Sequence, residues 1–182
     1  MHKVSDNVTI SKERPISYLH SFETPFLEWQ SDILEEQQDD NLRIIVNPTF
    51  AFKCAIASEP FYPGQRYMFE VSLRKGQNFR IGICDGSSEL AFSETLKTYA
   101  YYSCGQARHN SQAHVYGETF AAGDVVGCYV DLIEGKIFFS MNGTIYKDAF
   151  MGIDLLDKVF YATCACLTKD EAFEVMVPAC ED

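Results

Sequence analysis

The sequence predicts an all-β chain, an antiparallel β-sandwich of two twisted sheets with short helical turns. The first sign is a set of short runs such as Tyr67, Phe69, Val71 and Leu73, with apolar residues at every second position. That period buries one face of a strand and exposes the other. Gly, Asn, Asp and Pro separate those runs at short intervals, the punctuation expected between the strands of a sandwich. The stretch from Phe160 to Leu167 is apolar at both phases, which suits a strand at the centre of a sheet.

Taken in order, residues 1–15 mix Lys, Asp, Ser and Glu without periodicity and read as a peripheral start. Phe26, Leu27 and Trp29 suggest a short edge segment, and the polar run EEQQDD at 35–40 reads as a solvated turn. Leu42, Ile44 and Val46 then form the apolar face of a strand, as do Tyr67 to Leu73 and, next, Phe79, Ile81 and Ile83. Residues 87–97 and 152–158 carry the local spacing of short helical turns. At the end of the chain, Phe173, Val175 and Val177 alternate once more.

The densest information lies between Tyr116 and Phe150. Val126, Cys128, Val130 and Leu132 alternate with Gly127, Tyr129 and Asp131, so the first set points inward and the second outward. Gly135 supplies the positive φ of a tight reversal, after which Ile137, Phe139 and Met141 resume the pattern. Asn142-Gly143 is the pair best suited to a type I′ hairpin turn. The chain then doubles back through Thr144, Ile145 and Tyr146.

A chain of 182 residues suits one domain with a substantial core, and its 47% hydrophobic content favours folding. The net charge of −11 opposes phosphate backbones, so nucleic acid is not an expected partner. It favours a basic or neutral partner instead. No apolar run approaches the roughly 18 residues of a membrane span, and the N-terminus lacks a secretory apolar region. The expectation is a cytoplasmic or nuclear chain that does not engage a membrane. Seven cysteines, an odd number lying mostly in strand patterns, read as reduced core thiols.

The stretch from Tyr116 to Phe150 resembles the SPRY domain. That family's pattern runs as an aromatic-Gly pair, Gly-Asp-Val-aliphatic-Gly-Cys, an aliphatic-Asp pair, an aromatic, Asn-Gly and Ala-Phe. The matching residues are Tyr116, Gly117, Gly123, Asp124, Val125, Val126, Gly127, Cys128, Asp131, Asn142, Gly143, Ala149 and Phe150. Gly64 followed by Tyr67 to Val71, and Arg80-Ile81-Gly82, resemble two earlier strands of the family. Thr98 to Tyr101, with Gly105, His109 and Asn110 following, is similar to the branch found in Ash2, hnRNP U and DEAD-box proteins. Lys147, Ala162 and the closing Met176-Val177-Pro178 depart from the pattern.

The resemblance implies a concanavalin-like jelly roll over residues 41–178, preceded by a 1–40 segment that is loose or PRY-like and followed by a 179–182 tail. It also implies partner binding through loops at one end of the sandwich. By motif order those loops are 48–52, 74–78, 85–92, 104–115 and 167–172. Within them and beside them, the candidate partner-binding residues are Arg80, Leu90, Phe92, Tyr101, Arg108, His109 and Lys169, which combine apolar anchors with charged handles. Arg80 could underlie a carboxylate pocket, although Gly82-Ile83-Cys84 replaces the Gly-Trp-Ser that usually follows it.

The expected function is therefore a non-enzymatic module that binds a short peptide segment of a protein partner, as a monomeric adaptor or complex subunit. No catalytic residue, metal or cofactor is expected. Two other classes stay open. Antiparallel sandwiches also serve as lectins, although a single tryptophan leaves few stacking platforms. Cys104 with His109 could form a thiol hydrolase, but such a dyad needs an orienting group and an oxyanion site. Adding His114 still leaves a zinc site one ligand short.

Overall fold

The computed structural model describes residues 14–25, 27–30, 35–39, 42–49, 53–85 and 98–176. Two antiparallel sheets of seven strands each face one another across a single main core. One sheet holds, from edge to edge, β1 (Trp29–Gln30), β4 (Lys53–Phe61), β13 (Phe160–Cys166), β6 (Phe79–Asp85), β7 (Thr98–Tyr102), β8 (Gln106–His109) and β9 (Gln112–Val115). The other holds β12 (Thr144–Met151), β11 (Lys136–Met141), β10 (Val125–Asp131), β5 (Arg66–Lys75), β14 (Ala172–Val175), β3 (Leu42–Val46) and β2 (Glu35–Asp39).

The inner faces follow the sequence pattern closely. Tyr67, Phe69, Val71 and Leu73 from β5 are buried against Phe79, Ile81 and Ile83 from β6, and Val126, Cys128 and Val130 from β10 join them. β13 sits between β4 and β6, which explains its apolar character on both sides. Its inner residues Phe160, Ala162, Cys164 and Cys166 belong to the main core, while Ala165 joins Cys84, Ala100 and Tyr102 in a second cluster on the outer face. The turn at Asn142-Gly143 has φ of 50° and 84° and directly joins Met141 to its partner Thr144.

Burial raises the Cys84 thiol to about 12 and holds Cys128 and Cys164 well above the ordinary thiol range. These are packing residues rather than nucleophiles.

Several expectations need correction. The EEQQDD run is mostly strand: Glu35–Asp39 forms β2, paired along β3 from Glu35 opposite Val46 to Asp39 opposite Leu42. An outermost strand can be held by main-chain bonds to one neighbour, so charge there is tolerated and discourages further pairing. Among the described side chains of β3 the buried one is Ile45, opposite Phe173 of β14, while Ile44 and Val46 are only half-buried. The apolar run was legible, but its phase was not. The 152–158 turn condenses to a single 3₁₀ turn at Ile153–Leu155, and the helical turn expected at 87–97 lies outside the described residues.

Asp131 keeps its expected outward phase, yet it does not face solvent. It is fully buried, because the N-terminal segment crosses the outer face of its sheet. The short helix α1 (Ile16–His20) and its flanks set Arg14 over the Phe138 ring at 3.4 Å, stack Tyr18 near the same ring and wedge Phe22 edge-on against Tyr129 and Phe138. The Tyr18 hydroxyl donates to Asp131 Oδ2 at 2.7 Å, and Arg66 Nε donates to the same oxygen at 3.0 Å. The Ile133 and Glu134 amides donate to Oδ1. Arg14 closes the strap with a 2.5 Å ion pair to Asp148.

Burial opposes the Asp131 charge, but the Tyr18, Glu134, Arg66 and Ile133 hydrogen bonds together hold its carboxyl below the usual aspartate range. With the folded pKa depressed, the contribution to stability is complete above the ordinary value of about 3.9. It disappears as pH falls through the folded value. Asp131→Ala should cost about 3 kcal/mol by removing the acceptor of the Tyr18 hydroxyl and of two amides and the closest carboxylate partner of Arg66, which keeps only Ser21 and the more distant Glu134. In pH-dependent thermal melts the variant should also lose the part of the wild-type acid transition that this carboxyl contributes.

Candidate functional site

Loops from both sheets meet at one end of the sandwich, where a buried carboxylate holds them together. Glu171, 2% exposed, accepts Gln77 N and Asn78 N on Oε2 at 2.9 and 2.7 Å. On Oε1 it accepts Leu167 N and Thr168 N at 3.0 and 2.7 Å. A carboxylate taking backbone amides in this way replaces the ladder partners that both turns lack. The same residue's main chain accepts Asn47 N at 3.0 Å, and Asn47 O in turn accepts Asp170 N at 2.8 Å. The β3–β4, β5–β6 and β13–β14 connections are thus tied together.

Gly76 makes this possible. Its φ is +106°, and a Cβ there would collide with the Glu171 side chain.

A neighbouring lattice of bonds extends the platform. Asp124 Oδ2 accepts Ala121 N and its Oδ1 accepts Asn142 Nδ2, while Asn142 Oδ1 accepts Val125 N, all at 2.9 Å. Two sequence motifs, Gly123-Asp124 and Asn142-Gly143, are therefore one structural device. Beneath it Tyr101, Tyr116, Phe120, Phe139 and Tyr146 pack largely edge to face, a geometry that aromatic quadrupoles favour. The Tyr116 hydroxyl donates to Lys147 O at 2.6 Å and accepts Phe139 N at 3.0 Å.

The surface above is polar: Gln77, Asn78, Cys104, Glu118, Thr168, Lys169 and Asp170 are exposed. Arg74, in the outward phase of β5, pairs with Glu174 of β14 at 3.4 Å.

The residues expected at a binding surface are dispersed. Lys169 lies on this end, exposed in the β13–β14 turn. Tyr101 cannot contact a partner, being fully buried with its hydroxyl donated to Glu118 O. Arg80 and Arg108 are half-buried on the outer face of the β6–β7–β8 sheet, each with its guanidinium 4.5 Å from the Tyr102 ring, and Arg108 also donates twice to Gln106 Oε1. Leu90 and Phe92 lie outside the described residues.

His109 ends β8 rather than decorating a loop. Its ring stacks on Tyr99 at 3.7 Å, with Nδ1 2.8 Å from Thr98 O. Nor do the five expected loops share an end. The 85–92 segment leaves β6 at Asp85, opposite Phe160, whereas the Glu171 loops adjoin Phe79 and Cys166.

The geometry also bears on the rival readings. Cys104 is exposed in the turn before β8 and His109 sits at the strand's far end, so extended chain of roughly 3.3 Å per residue separates them. They form no dyad. Trp29, the sole tryptophan, packs edge-on against Phe69 and Phe173 rather than offering a ring to a sugar. No helix among the described residues is long and apolar enough to cross a membrane.

Glu171 was missed because a lone glutamate between Asp170 and Ala172 carries no pattern. The usable signal was Gly76 beside Gln77 and Asn78, a turn that leaves amides needing an acceptor.

The architecture is thus a two-sheet antiparallel sandwich that ties its β3–β4, β5–β6 and β13–β14 connections together at one hydrogen-bonded end. The SPRY domain family profile matches residues 66–179, more than half of the chain, and the chain belongs to that family. SPRY domains are in general protein-interaction modules.

Among solved structures, the SPRY domain of human HERC1 superposes with a TM-score of 0.69 at 17% identity, covering 84% of this chain and 99% of that one. A second human SPRY domain gives 0.64 at 16% identity, covering 84% and 98%. Among curated proteins, the E3 ubiquitin-protein ligase RKP of Arabidopsis thaliana is 28% identical over 137 residues, which are 72% of this chain and 11% of that protein. The ATP-dependent RNA helicase DDX1 of Xenopus laevis is 29% identical over 109 residues, 59% of this chain and 15% of that protein. The matched region is thus a small part of either relative.

Glu171→Gln should cost about 1–2 kcal/mol, since the amide nitrogen can no longer accept two of the main-chain bonds. Gly76→Ala should cost about 1–3 kcal/mol through its positive φ and the collision. Both are measurable by denaturant unfolding. Amide exchange at Gln77, Asn78, Leu167 and Thr168 should accelerate ahead of exchange in the sheets.

Proposed function

We propose that the end of the sandwich organised by Glu171 binds a short extended segment of a partner protein, the chain serving as an adaptor or a subunit of a larger assembly. The observation that carries this reading is the set of four amide bonds to one buried carboxylate. They fix two turns in one arrangement before any ligand arrives. A surface ordered in advance loses less entropy on binding. Gln77, Asn78, Thr168 and Lys169, exposed along its rim, supply the hydrogen-bonding groups that an extended main chain requires. The resemblance to SPRY domains supports the same class of partner, and no catalytic step is assigned to the surface.

Affinity capture from cells followed by peptide mapping identifies the bound segment. The combined variant Gln77→Arg with Lys169→Glu should then weaken that peptide tenfold or more, about 1.4 kcal/mol. Its melting temperature should stay near that of the wild type, because the four bonds to Glu171 are made by main-chain amides that the variant keeps. Undiminished affinity in this variant, with loss of affinity in Arg108→Ala, would move the site to the outer sheet face.

A further inference from the structure

Each sheet ends in two edge strands, and an unprotected edge is a template for a foreign strand. Among the described strands, β1 is only two residues long. β2 is rich in charge, with Glu35, Glu36 and Asp39 in its sequence. β12 pairs with β11 through two register shifts and carries Lys147 and Asp148, the latter tied to Arg14. β9 has none of these devices. It reads Gln112-Ala113-His114-Val115, all four residues are exposed, Val115 is 69% exposed, and its register with β8 is unbroken.

The open groups on that edge can be assigned from the hairpin. Asn110 and Ser111 both have positive φ, 53° and 58°, and directly join His109 to its partner Gln112. The pair flanking such a two-residue turn is hydrogen-bonded, and bonded and non-bonded pairs alternate from there. Ala107 with His114 is the next bonded pair, and Tyr116 N continues the series to Gly105 O at 2.9 Å. Ala113 and Val115 therefore direct their N–H and C=O away from β8.

Beside this edge, between β9 and β12, lies a cleft of about 300 Å3 whose walls include Tyr99, His109, His114, Phe150, Met151 and Asp154. Among the described residues, Asp154 is the one carboxylate lining it. Burial, followed by the fields of Asp154 and Asp85, raises the Tyr99 phenol. Burial and then the Lys147 charge lower the His114 pKa, so that imidazole is neutral near pH 7. Lys147 itself is exposed on β12 and does not line the cleft. The cleft thus combines apolar and aromatic walls with one anionic group, which suits a cation on an aliphatic stem.

We propose that β9 accepts an extended segment of a partner protein as an added strand, with a lysine or arginine of that segment seated in the cleft between Phe150 and Asp154. Main-chain bonds to Ala113 and Val115 supply affinity, and the inward-facing basic side chain supplies selectivity. The net charge of −11 favours a basic segment and opposes a second copy of the chain at this edge. The surface is separate from the Glu171 loops, so the two readings succeed or fail independently.

The test is selection of a displayed library of random short peptides on the whole chain. Enriched peptides should share a basic residue flanked by β-branched residues. Val115→Pro removes an N–H that the fold does not use, so it should leave the melting temperature unchanged and weaken those peptides at least tenfold. Asp154→Lys should reverse the preference toward acidic residues, while Gln77→Arg with Lys169→Glu should leave binding unchanged. A measurement that does not alter the protein is N-methylation of the peptide at alternate amides: one set should abolish binding and the other should spare it. Enrichment of no peptide overturns the proposal, as do equal effects of the two methylated sets or peptides that tolerate Val115→Pro. Sedimentation showing a dimer that Val115→Pro dissociates also overturns it, by assigning the edge to a second copy.

Discussion

The Glu171 carboxylate is the interaction on which the organisation of this sandwich's loop end depends. Two turns from different parts of the chain present amides that no ladder can satisfy, and one side chain accepts them all. Buried amides without acceptors are costly, so the turns are held wherever the carboxylate is held. Gly76 grants the approach through its positive φ, and Asn47 links the β3–β4 connection into the same network through its main chain. Rigidity at this end is therefore built from bonds that main-chain amides donate, and not from the exposed side chains.

The same logic recurs where Asp124 meets Asn142. A carboxylate bridges a turn amide and a side-chain amide, and that side chain's oxygen closes the adjoining strand. On the far face of the second sheet, Asp131 does related work under the N-terminal strap, joining Tyr18 and Arg66 to the β10–β11 turn. In all three places an acidic residue neutralises backbone or side-chain donors rather than contributing to a solvated charged surface. Part of the acidity that marks this chain's composition is thus structural.

Strand identity was well marked in the sequence, because an inner face must bury every second residue. Tyr67 to Leu73, Phe79 to Ile83 and Val126 to Val130 all show this. The pattern misleads where burial comes from something other than the opposing sheet. Asp131 and Phe138 are covered by α1 and its flanks, Ile45 takes the inward phase of a strand whose neighbours are also apolar, and β2 lies at an edge without an apolar alternation. The candidate site was less legible. Tyr101 reads as an interface residue from its type and as core from its position, and period-two spacing alone does not separate the two.

What the sequence determined by itself was the class of fold, the hairpin at Asn142-Gly143 and the membership of the segment from Tyr116 to Phe150 in a recognisable scaffold. These are consequences of local backbone preference and alternating burial, both written in neighbouring residues. Only the tertiary structure decided which loops share an end, that Glu171 binds turns from 77–78 and 167–168, that Tyr101 is withdrawn from the surface, and that β9 is an outermost strand among those described. Each of those depends on which strands become neighbours, and that choice is made by packing between residues far apart in the chain.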